Sequence, residues 1–137
     1  VVFNHSSLRL WQIPRDAYRQ TTVSLAELEV GLGRGGALGA YLAGKLGETF
    51  GKASQRLGSA GEAYVMGDSP LVLLTALQTT FEADTASSFH RELPCPTLNV
   101  DGSYTANPAG RPIRVYHQLD NRTMVEDFFA KLELHAR

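Results

Sequence analysis

The sequence predicts an α/β domain, and three observations carry the prediction. Capping-box spacings precede apolar residues at helical intervals, short runs of alternating polarity end at proline or turn residues, and an Asp-Gly pair separates two β-prone runs.

The elements follow in order. Leu8-Arg9-Leu10-Trp11-Gln12-Ile13 alternates in polarity after Ser6-Ser7 and stops at Pro14, which cannot donate to a ladder, so a short strand is expected there. Ser24-Leu25-Ala26-Glu27 has capping-box spacing, and Leu25, Leu28 and Leu32 share one face of the helix it opens. Glycines from Gly31 stop that helix. From Ala37 to about Leu57 the residues Leu38, Tyr41, Leu42, Leu46, Phe50 and Leu57 predict a second helix. Its Gly39, Gly44, Gly47 and Gly51 each cost up to about 1 kcal/mol against alanine, which implies close packing or mobility.

Ala63-Tyr64-Val65-Met66 is a short apolar run. Gly67-Asp68-Ser69-Pro70 then reads as a helix start, because proline fits the first turn, and Leu71 to Leu77 is apolar nearly all round, so burial is expected. Phe81 to Pro96 reads as a polar, proline-punctuated loop. Thr97 to Thr105 is a hairpin with Asp101-Gly102 at its turn, Asn107-Pro108-Ala109-Gly110 a further turn, and Ile113 to His117 a strand. Thr123-Met124-Val125-Glu126 repeats the capping-box spacing and opens a final helix with Phe128, Phe129 and Leu132 on its buried face. No repeat or low-complexity segment occurs, and residues 1–137 read as a portion of one domain.

Composition excludes several classes of function. The chain is 43% apolar and 20% charged, ordinary for a globular domain, and its 13 basic and 14 acidic residues give no field that favours nucleic acid or an anionic membrane. The lone Cys95 cannot form an internal disulfide, which fits a reducing compartment, and a cytoplasmic location is expected. The apolar stretch from Leu71 to Leu77 is far short of the roughly 20 residues a spanning helix needs. Val1-Val2-Phe3-Asn4-His5 has neither an initiator methionine nor a signal-peptide pattern, so the chain reads as one that starts mid-protein.

Few motifs carry chemistry. Gly31-Leu32-Gly33-Arg34-Gly35-Gly36 satisfies G-x-G-x-x-G, but it follows a predicted helix instead of a strand and reads as a helix-to-helix connection. His5, His90, His117 and His135 are not at metal-ligand spacing, and no G-x-S-x-G elbow anchors a triad. Asp68 is the most informative carboxylate. It either caps the helix at Pro70 or faces a cleft at a strand end, where it would ligate a hard cation.

Gly67-Asp68-Ser69-Pro70-Leu71 with its apolar helix, the Thr97–Thr105 hairpin and the Gly110-Arg111 strand resemble the C-terminal half of the inosine-uridine-preferring nucleoside hydrolases. Val1-Val2-Phe3-Asn4, Leu10-Trp11-Gln12-Ile13-Pro14-Arg15-Asp16 and Gln20 resemble the family's preceding helix end, strand and Pro-x-Asp segment. The resemblance spans Val1 to about Leu132 and rests on the order and spacing of segments. It implies the C-terminal part of a nucleoside-hydrolase-like, Rossmann-like α/β domain.

What the resemblance implies for function is N-glycosidic bond hydrolysis of ribonucleosides, with a bound Ca²⁺ holding the ribose hydroxyls and an attacking water. In that family an N-terminal aspartate cluster supplies most metal ligands and the general base, and the C-terminal half adds one aspartate. Asp68 matches it and is the expected metal ligand, while no catalytic residue is assigned within the chain. Two departures stand out: Gly67 replaces the histidine suited to protonating the leaving base, and Ser69 is added between Asp68 and Pro70. Since Ca²⁺ takes about six to eight oxygens, one carboxylate holds it weakly, and the isolated chain is expected to be inactive. The expected partner is a ribonucleoside or related N-glycoside. Sheet edges and an apolar face that a missing portion would cover also make a homo-oligomer expected. The alternative is a non-catalytic α/β interaction or structural domain that retains part of the fold.

Overall fold

The computed structural model describes residues 1–57, 61–76 and 88–137. Helices and strands mix along the chain, as an α/β class requires. The helices are α1 (Val2–His5), α2 (Arg15–Tyr18), α3 (Leu25–Gly33), α4 (Gly36–Leu57), α5 (Pro70–Ala76) and α6 (Asn121–His135); the strands are β1 (Trp11–Gln12), β2 (Thr22–Ser24), β3 (Ala63–Val65), β4 (Phe89–Pro94), β5 (Thr97–Leu98), β6 (Tyr104–Thr105) and β7 (Pro112–Gln118). Among the described residues no helix is long and apolar enough to cross a membrane.

Among the described residues the strands form three small sheets, of which the largest has the order β1-β7-β4. β7 is its centre, parallel to β1 with Trp11 opposite Arg114, and antiparallel to β4 with Glu92 opposite Arg114. Alternation along β7 explains its place. Ile113 and Val115 pack with Cys95, Phe3 and Leu10 on one face, while Tyr116 on the other joins Ala17, Leu74, Leu119 and Trp11. β4 corrects the sequence expectation of a loop up to Pro96. Its His90-Arg91-Glu92 centre is polar because it lies at a sheet edge, and Pro94 falls at its last position, where a missing N–H breaks no ladder. Residues 81–87 of the expected loop, and Leu77, lie outside the described residues.

α3, α4 and α6 build the main core. Ser24 Oγ accepts from Glu27 N–H at 3.1 Å, which starts α3 where the spacing predicted. Leu28 and Leu32 of α3 then meet Met124, Val125 and Leu132 of α6, with Val23 of β2 and Leu73 of α5 closing the cluster. The helix-to-helix connection is shorter than expected, because α3 runs past Gly31 to Gly33 and only Arg34 and Gly35 separate it from α4, and the glycines of the segment serve packing. Gly31 lies against the Phe129 ring and Gly35 against Leu132, while Gly36 turns the chain with φ at +55°. α4 resolves the choice left open for its glycines position by position. A side chain at Gly39 would meet the Leu32 carbonyl, so α3 and α4 cross closely there, whereas Gly44, Gly47 and Gly51 have open space.

Three further expectations change. α6 begins two residues before Thr123, because the Asp120 carboxylate is the cap: it accepts from Thr123 N–H at 3.0 Å and from the Thr123 hydroxyl at 3.0 Å. Glu126 instead pairs with Arg122 at 2.7 Å. α5 is not buried all round, since Leu73 and Leu74 are buried but Leu71 is 50% and Val72 58% exposed. The hairpin turn is longer than Asp-Gly alone. Gly102 N–H donates to Asn99 O at 3.1 Å and Asn99 N–H to Ser103 O at 2.9 Å, and only Gly102 has positive φ, a turn followed by a one-residue bulge. Asp101 braces it by accepting from the Ser103 hydroxyl at 2.7 Å and the Ser103 N–H at 2.9 Å. These bonds, the hydroxyl's foremost, hold the Asp101 carboxyl below its ordinary value.

Candidate functional site at the carboxyl ends of β1 and β7

The parallel pairing of β1 with β7 brings the segments after both strands to one end of the sheet. In α/β folds that end is where ligands bind. After β1, Pro14 leads into α2, a single turn in which Tyr18 N–H donates to Pro14 O at 2.9 Å. The chain then reaches Gln20, whose side-chain amide donates to the His117 carbonyl at the end of β7 at 2.8 Å. Asn121, first residue of α6, donates in turn to the Gln20 carbonyl at 2.8 Å. Two amide side chains thereby tie the loop after β1 to the end of β7 and the start of α6, 97 and 101 positions away in sequence.

A fourth segment joins through Thr21, which is fully buried. Its hydroxyl donates to Tyr18 O at 2.6 Å and its carbonyl accepts from Met66 N–H at 2.8 Å, which fixes the end of β3 to the same loop. Gly67 comes next and is buried against Tyr18, whose ring fills the space where a side chain at residue 67 would start. A histidine there, as in the family that the sequence resembles, requires Tyr18 to move.

Asp68 follows in an exposed turn. Ser69 N–H donates to Met66 O at 3.0 Å, Leu71 N–H to Asp68 O at 3.3 Å and Val72 N–H to Ser69 O at 2.9 Å. The main chain of the turn therefore satisfies the first amides of α5, a task that a capping side chain performs at other helices. No hydrogen bond or ion pair among the described residues engages the Asp68 carboxylate. Pro70 is the first residue of α5, as predicted.

The other sequence candidates do not gather around it. His5 ends α1, His135 ends α6, and His90 packs on the Tyr116 ring with centroids 5.2 Å apart. His117 is exposed at the end of β7 and joins the network only through its carbonyl. Cys95 is buried, its thiol 3.7 Å from Phe3 O. Among the described residues no group of three His, Cys, Asp or Glu side chains could hold a metal ion. One exposed carboxylate is well short of the about six to eight oxygens that Ca²⁺ takes, so the described residues do not by themselves fit that ion.

The residues that sequence reading missed are Tyr18, Thr21 and Asn121. None stands in a motif, and they acquire their roles from contacts with Gly67, Met66 and Gln20 that the fold creates. Comparison of the chain with protein-family models, with curated proteins and with solved structures finds no match.

Proposed function

We propose that this chain is the C-terminal portion of a nucleoside-hydrolase-like domain, and that its parent protein cleaves the N-glycosidic bond of ribonucleosides. The observation that carries the reading is the placement of Asp68. The aspartate that the resemblance singles out lies exposed in a turn after a strand, its carboxylate unspent on the helix that follows, and Met66 N–H joins that turn to the loop that Gln20 ties to the end of β7 and Asn121 to the start of α6. Its role is to supply one oxygen to a divalent cation whose other ligands come from residues outside this chain. The 137-residue chain alone is inactive on this reading.

The test is ribose release from a panel of purine and pyrimidine nucleosides with added Ca²⁺. No turnover is expected from the chain alone; robust turnover that Asp68→Ala abolishes overturns the claim of inactivity. For the parent, the reading frame upstream of Val1 is expected to encode a strand followed by a D-x-D-x-x-x-D-D aspartate cluster, and a native start near Val1 refutes the hydrolase reading.

A second reading, a non-catalytic interaction domain, is favoured by a different observation. Leu71 and Val72 present an apolar strip on α5, beside a turn whose leaving-group position is Gly67 packed under Tyr18. An exposed apolar strip of this kind suits a protein contact. Loss of binding to a partner on Val72→Asp, with nucleoside hydrolysis absent from the parent as well, would favour this reading.

A further inference from the structure

A cavity of about 430 Å³ lies at the opposite end of β7 from Gln20 and His117, between α1, β5 and the Asn107–Arg111 turn. We propose that it binds a small phosphate-bearing anion, with Arg111 as the recognising residue.

Charge and donor count carry the inference. The Arg111 guanidinium donates from Nη1 to Leu8 O and from Nη2 to Val2 O, the latter at 3.0 Å. No carboxylate engages it among the described residues, and no Asp or Glu lines the cavity. Two carbonyl dipoles are therefore all that offset a full positive charge, and its Nε–H is buried without an acceptor. A guanidinium carries five N–H donors, so each terminal nitrogen keeps one to offer. His5, Thr97 and Asn107 add donor-bearing side chains to the lining. Donors on several sides suit three tetrahedral oxygens better than the two coplanar oxygens of a carboxylate. The volume exceeds that of inorganic phosphate and falls in the range of small-molecule pockets, which leaves room for an organic substituent.

The close approach that shapes the cavity is built into the sequence. Gly110 lies where any side chain would strike the Cys95 carbonyl, and Cys95 N–H donates to Arg111 O at 2.8 Å. These contacts hold the turn against Cys95, in the link between β4 and β5, and set Arg111 at the cavity wall. Arg111 also clamps the N-terminal segment, so its removal perturbs folding as well as charge. Ala109, exposed in the same turn, offers a cleaner variant: Ala109→Asp adds a carboxylate to the lining and leaves the clamp in place.

The experiment is ¹H–¹⁵N titration of the 137-residue chain with inorganic phosphate, glycerol 2-phosphate and acetate, at constant ionic strength maintained with sodium chloride. Saturable shifts are expected for the amides of Thr97 and Ala109 to Arg111 with both phosphates, at least tenfold weaker in Ala109→Asp and in Arg111→Gln. Affinity weaker than about 10 mM for both phosphates overturns the proposal. So does equal affinity for acetate, or unchanged phosphate affinity in Ala109→Asp whether or not Arg111→Gln folds.

Discussion

Replacing Gly67 by alanine places a methyl group where Cδ2, Cε2 and Cζ of Tyr18 lie. Residue 67 has no positive φ, so the backbone tolerates alanine, and the nearest obstacle is the ring. Overpacking of this kind costs typically about 1–3 kcal/mol. Tyr18 is only half-buried and its ring can swing on two torsions, which places the cost near the lower end, about 1–1.5 kcal/mol. In a domain of this size that lowers Tm by roughly 3–7 °C. Urea unfolding of the parent chain, Gly67→Ala, Tyr18→Ala and the double variant isolates the contact. Tyr18→Ala removes every overlapping atom, so Gly67→Ala in that background is expected to be neutral or to stabilise by about 0.4–1 kcal/mol through the unfolded state. Tyr18→Phe keeps the three ring carbons and is expected to give no relief. An equal penalty for Gly67→Ala with and without Tyr18 refutes the reasoning. The same cycle bears on the proposed function, because Gly67→His, which introduces the leaving-group acid that the hydrolase reading lacks here, meets the same ring. Its penalty is expected to fall in the Tyr18→Ala background too.

Two further predictions use other parts of the fold. Gly39→Ala is expected to destabilise by about 2 kcal/mol or more despite alanine's better helix propensity, because its methyl strikes the Leu32 backbone carbonyl, which cannot rotate away; Gly44→Ala and Gly51→Ala on the same helix meet nothing within 4 Å and are expected to stabilise by about 0.5–1 kcal/mol each in urea unfolding. The Asp101 carboxyl, lowered in the folded hairpin by the Ser103 hydroxyl and N–H, contributes stability above its unfolded pKa that is lost as pH falls through the folded one. Side-chain carboxyl NMR titration is expected to show Asp101 below ordinary aspartates, and Ser103→Ala to move it back up; an unmoved Asp101 refutes the assignment of cause.

Local chemistry was the legible part of this sequence. The Ser24 cap, the glycine connection, α4, the Pro70 start and the Asp-Gly hairpin all depend on residues within a few positions of one another, and each appears where its pattern lies. β4 was illegible because an edge strand buries little, and His90-Arg91-Glu92 has no apolar alternation to reveal it. The start of α6 was misplaced for a related reason. Thr123 has capping-box spacing to Glu126, but the cap is Asp120, three residues earlier, whose carboxylate takes both the N–H and the hydroxyl of Thr123.

Asp68 shows where sequence pattern stops deciding. A carboxylate two residues ahead of a helical proline reads identically whether it caps the helix or points elsewhere, since both uses need only a short acidic side chain at a helix start. The difference lies in who satisfies the first amides of α5. Here the carbonyls of Asp68 and Ser69 take the Leu71 and Val72 N–H groups, which frees the carboxylate, and that main-chain geometry depends on Met66 being held by the Thr21 carbonyl. Thr21 is in turn fixed by Tyr18, whose ring occupies the space beside Gly67. The state of one aspartate is thus set by a loop more than forty residues earlier. For the same reason Gln20 and Asn121, which tie that loop to β7 and to α6, are expected to position the Asp68 turn.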